Sequence, residues 1–108
     1  MNDIEFDTLI TLFQQRGLAA WRRPLGGSDC VMIGADPLEP GAIRGWRRAA
    51  HVWRHESGGW WVTVASLHAG TFPTCESVAD YIFHVLSASP DAYEREITRI
   101  SGLQKDIA

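Results

Sequence analysis

The chain has 108 residues, the size of one ordinary domain, and its 45% hydrophobic content suffices for a core and is too high for a disordered chain. The start, Met1-Asn2-Asp3-Ile4-Glu5-Phe6-Asp7, is acidic where a secretory signal is basic, and no apolar run approaches the roughly 20 residues that cross a bilayer, so a cytoplasmic chain without a membrane span is expected. The net charge of −3 hides an uneven distribution: Gly41 to His55 holds four arginines and no acid, while acids gather at the start and in the last third.

Phe6, Leu9, Ile10 and Phe13 recur at helical spacing, which predicts a first helix with Asp3 as its N-cap and Gly17 as the glycine that ends it near Arg16. Leu18 is then placed to pack back on Phe13. Ala19 to Arg23 and Cys30 to Gly34 flank Pro24-Leu25-Gly26-Gly27-Ser28-Asp29 and read as two strands joined by a turn. Ala35 to Gly41 contains two prolines and a glycine and reads as a loop.

His51 to His55 and Trp60 to Leu67, separated by Glu56-Ser57-Gly58-Gly59, predict a β-hairpin. A two-residue loop puts Trp53 and His55 on the face of Trp60, Val62 and Val64, with Arg54 beside Trp61 and Thr63. A three-residue loop reverses that pairing, and the sequence leaves both open. The strand from Trp60 to Leu67 is expected at the centre of the sheet.

Thr74, after Pro73, is expected to cap a second helix with Val78, Tyr81, Ile82, Val85 and Leu86 on one stripe, packed across that strand. Ser89-Pro90 repeats the start signal for a last helix bearing Tyr93, Ile97 and Ile100 and ending near Gly102. The order predicts a single α+β domain: an antiparallel sheet of about four strands with an N-terminal helix, two C-terminal helices and all helices on one face.

His51 and His55 stand four apart, the spacing that lets two imidazoles bind zinc from adjacent helical turns, and Ile43, Trp46, Ala50 and Trp53 also fit a helical face. In the expected strand the two lie about 13 Å apart and cannot share a metal. No metal or other cofactor is expected. Cys30 and Cys75 are too few for a disulfide framework and read as reduced thiols. Cys75 falls in the first turn of the second helix, where the dipole favours a thiolate, and either cysteine with His68 or His84 is a formal nucleophile and base, although packing as a small apolar side chain is the simpler reading. Around Ser28 there is no nucleophile elbow, and the glycine pairs do not match a phosphate-binding or dinucleotide pattern, so no catalytic residue is assigned.

The segment from Arg44 to Arg54 interleaves arginine with tryptophan, the composition of both nucleic-acid platforms and protein interface hot spots. An overall pI of about 5.7 disfavours the first. Arg44, Arg47, Arg48, Trp53 and Arg54 are therefore the expected binding residues, and a protein with an acidic surface is the expected partner. Two plainer readings stay open: tryptophans packed in the core, and arginines paired with Glu94 or Glu96. Charge reversal at Arg47 and Arg48 together is expected to abolish binding and leave stability nearly unchanged.

In size, acidic character and order of elements, with a Trp-rich hairpin feeding an amphipathic helix after Pro73, the chain resembles the small cytoplasmic immunity proteins that neutralise bacterial toxins by binding them. The resemblance implies a non-enzymatic protein-binding module and assigns no residue. A nucleic-acid accessory protein, and a small enzyme or ligand-binding domain assembled from residues distant in sequence, are the alternatives.

Overall fold

A computed structural model describes residues 3–25, 28–37, 46–55 and 58–107. Helix α1 (Asp3–Gln15) ends at its glycine: Gly17, at φ +81°, donates its N–H to Gln14 O, and the Leu18 N–H donates to Phe13 O. Leu18 and Phe13 are both buried, so the chain reversal carries its hydrophobic clasp. Asp3 is the first helical residue, one place inside its expected position as cap.

Strands β1 (Ala19–Leu25), β2 (Ser28–Pro37), β3 (Trp46–Arg54), β4 (Trp60–Val64) and β5 (Leu67–Phe72) pair in sequence order as an antiparallel meander. The sheet has five strands where about four are expected, because the predicted strand Trp60 to Leu67 folds back on itself after Val64. Ala65 and Ser66 both take positive φ, +53° and +66°, and Val64 pairs directly with Leu67. Such a turn is normally made by glycine or asparagine, so the sequence carries no punctuation for it. β3, rather than β4, is therefore the central strand.

The first hairpin is tighter than expected. Pro24 pairs with Asp29 and Leu25 with Ser28, and β2 continues through Ala35 to Pro37, which the sequence reads as loop. Pro24 is tolerated because β1 is an edge strand. The rest of that predicted loop, with Ile43 and Arg44, lies outside the described residues.

Helix α2 (Cys75–Leu86) starts at Thr74, whose Oγ1 accepts from the Ser77 N–H while Ser77 Oγ accepts from the Thr74 N–H. Helix α3 (Pro90–Ile107) starts at Ser89, whose Oγ accepts from the Ala92 N–H. It runs beyond Gly102, where an end is expected; a helical glycine costs about 1 kcal/mol, which a long helix absorbs.

The alternation of the strands sends Val31, Ile33, Ala50, Val52, Val62 and Val64 to one face, all at most 1% exposed. There they meet Phe6, Leu9 and Phe13 of α1, the buried stripe of α2 and Ile100 of α3. Phe6 packs edge-on against Trp60, centroids 5.5 Å apart. Of the two registers open to the β3–β4 hairpin, the structure adopts the one pairing Trp53 with Trp61 and Arg54 with Trp60. The odd-length connection behind it is closed by the His55 N–H on Gly59 O, with Gly59 at φ +77° and no room for a Cβ, which would lie 2.7 Å from Phe72 O.

Candidate functional site: the open face of the sheet

Burying Trp60 on the helix side leaves its neighbour Trp61 on the other side, 41% exposed, and the same alternation sends every second residue of the meander there. Two cross-strand rows result. One runs Arg23, Cys30, Trp53, Trp61, Thr71; the other runs Trp21, Met32, His51, Thr63, His68. Arg47 joins this face by alternation with Ala49 and His51. An antiparallel sheet with one solvated face usually carries small polar residues on it. Here the face carries indole, imidazole and guanidinium.

The rings are not independent. His51 stacks on Trp53 with centroids 5.5 Å apart and planes at 15°, and Trp61 lies against His68 at 4.4 Å and His55 at 5.9 Å. Arg23 donates from Nη1 to Met32 Sδ at 3.4 Å. Cys30, between Arg23 and Trp53 in its row, is fully covered, and burial pushes its thiol up, partly opposed by the Arg23 charge. Burial, with the Arg23 charge second, holds His51 below the usual histidine range.

The five expected binding residues separate. Arg47 and Trp53 stand on the open face. Arg48 points to the helices, donating to the carbonyls of Leu86 at 3.1 Å and Ala88 at 2.6 Å, with its guanidinium 4.4 Å from the centroid of Tyr93. Arg54 ion-pairs with Glu5 and lies over Trp60. Arg44 falls outside the described residues. Glu96, a candidate partner for these arginines, instead takes the Tyr81 hydroxyl and Arg99 of its own helix. Sequence reasoning passed over Trp21, Arg23 and Trp61 as surface candidates. The signal for Arg23 and Trp21 was their period-two spacing in β1, and for Trp61 the undecided hairpin register.

The other chemistry resolves locally. Trp46–Arg54 is a strand, so His51 and His55 do not sit on successive helical turns, and no group of three or more metal-ligating side chains converges among the described residues. Both cysteines are free thiols. Cys75 does begin α2, yet burial first and Glu76 second raise its thiol, opposing the dipole. The depressions beside Ile4 and Leu12 on α1, and beside Gly58 and Pro73, are open grooves. No helix among the described residues is long and apolar enough to cross a membrane. No family model matches the chain, nor does any curated protein or solved structure.

Proposed function

We propose that the protein is a non-enzymatic protein-binding module, in the manner of a small immunity or regulatory protein, and that it takes an acidic partner surface on the open face of its sheet. The observation that carries this reading is the joint presence of Trp53, Trp61, His51 and Arg23 on the face of the sheet turned away from the described helices. Trp and Arg are the residues that dominate binding energy when they are desolvated at the centre of an interface. A cationic rim steers and orients an acidic partner and repels a basic one.

The fate of the arginines favours protein over nucleic acid. Arg48 is held by helix carbonyls and Arg54 by Glu5, both on the helix side of the sheet, so the arginines of this segment do not line up as one continuous basic track. Tracking a phosphate backbone calls for a longer basic groove.

The test is affinity purification from the host with the wild type, Trp61→Ala, Arg23→Glu, and Arg95→Glu on the exposed side of α3, each with its thermal unfolding. The open-face variants should lose the partner and keep their melting temperature, and Arg95→Glu should behave as wild type. Equal recovery with all four proteins refutes the reading. Nuclease-sensitive recovery with a steep salt dependence assigns the face to nucleic acid.

A further inference from the structure

The cation of the open face whose surroundings are most fully defined is Arg23, on edge strand β1. Among the described residues it has no carboxylate partner; its guanidinium reaches across to the Met32 sulfur at 3.4 Å. Met32 is the register partner of His51, so guanidinium and imidazole stand on either side of one thioether. His51 makes no hydrogen bond among the described residues and is held by its stack on Trp53. Among the described side chains, the ionisable groups on the same face around this notch are the Cys30 thiol of β2, Arg47 on β3 and, beyond Thr63, His68 of β5. Asp29, the nearest acid of β2, is on the opposite face with Arg22.

A guanidinium without a carboxylate and an imidazole without a hydrogen-bond partner, two strands apart in sequence and near each other across β2, are complementary to an oxyanion, and on an acidic protein surface that oxyanion is a carboxylate. We propose that the notch between Arg23 and His51 receives an Asp or Glu side chain of the partner protein, and that docking it makes His51 take up a proton. This rests on the docking reading above and assigns its anchor point. In the free protein, Arg23 and burial both oppose a charge on His51. A docked carboxylate pairs with Arg23, removes that repulsion and accepts a hydrogen bond from the imidazolium. By linkage, a complex that binds one more proton than its free components tightens as the pH falls.

The experiment follows the imidazole resonances of His51 and the indole N–H signals of Trp53 and Trp61 in the intact chain, with poly-L-aspartate as the probe. Aspartate carboxylates stay ionised down to about pH 5. With the probe, the His51 titration should move up, and the probe should bind about threefold to tenfold more tightly at about pH 5.5 than at about pH 7.5. In Arg23→Gln the free-protein titration should already lie higher, and the probe should no longer move it. If the indole signals respond while the His51 titration does not, the anchor is wrong and the docking face stands. A response of His51 that persists unchanged in Arg23→Gln also removes the anchor. If neither set of signals responds, both readings fail. If an oligothymidylate moves them and poly-L-aspartate does not, the anion is phosphate and the partner a nucleic acid.

Discussion

The guanidinium of Arg48 lies 4.4 Å over the ring of Tyr93 while donating to the carbonyls of Leu86 and Ala88, so one side chain of the central strand closes the end of α2 and holds the start of α3. The positive charge sits where the α2 dipole is negative, and the flat guanidinium serves a ring and two carbonyls at once. Arg48→Ala should cost about 2–3 kcal/mol in denaturant unfolding, and Arg48→Lys should recover only part of it, since an ammonium cannot stack and fork together. Arg23→Glu, exposed on the open face, should leave stability within about 0.5 kcal/mol. Reversing Arg47 and Arg48 together would therefore confound folding with binding, whereas Arg23 tests the face alone.

Thr74 supplies the cap of α2 through a reciprocal pair with Ser77. Thr74→Ala should lower unfolding free energy by about 1 kcal/mol, and Thr74→Ser should be nearly silent. An unchanged midpoint in urea for Thr74→Ala would show that the cap contributes nothing.

Stability should fall toward acid in two separate windows. His51 binds its proton less readily folded than unfolded, so below about pH 6.5 the unfolded chain holds more protons and stability drops as pH falls. Glu96 is lowered by Arg99 hydrogen bonds first, against some burial, with the Tyr81 hydroxyl also bound to it. Its contribution is fully present above the ordinary glutamate value and is lost as pH falls through the lowered folded value, well below the histidine window. His51→Gln should flatten the upper window only, and Glu96→Gln the lower one only, in thermal unfolding across pH.

Ala65 and Ser66 hold a two-residue turn in the left-handed region without a glycine. Replacing the pair with Asn-Gly should raise stability by about 1 kcal/mol, because each L residue with a Cβ resists that conformation. A loss of stability would mean that contacts of the Ala65 or Ser66 side chains outweigh the backbone term.

The helices were legible in the sequence because their signals are local. Phe6 to Phe13 with Gly17, Thr74 before its apolar stripe, and Ser89-Pro90 each specify a start or an end through hydrogen bonds within a few residues. The α+β class and the burial of Val62 and Val64 followed from the same short-range patterns. What the tertiary structure alone decided was which side each strand residue faces and what the arginines meet. A period-two pattern is blind to register, so one residue in the length of a turn exchanges Trp60 for Trp61 between core and surface. Arg48 and Arg54 look free because the stretch from Gly41 to His55 holds no acid, yet the helix carbonyls at Leu86 and Ala88 and the carboxylate of Glu5 reach them across the fold. Arg23, by contrast, sits on an edge strand whose open face meets no helix, and only the packing of the other face determined that it would be left there.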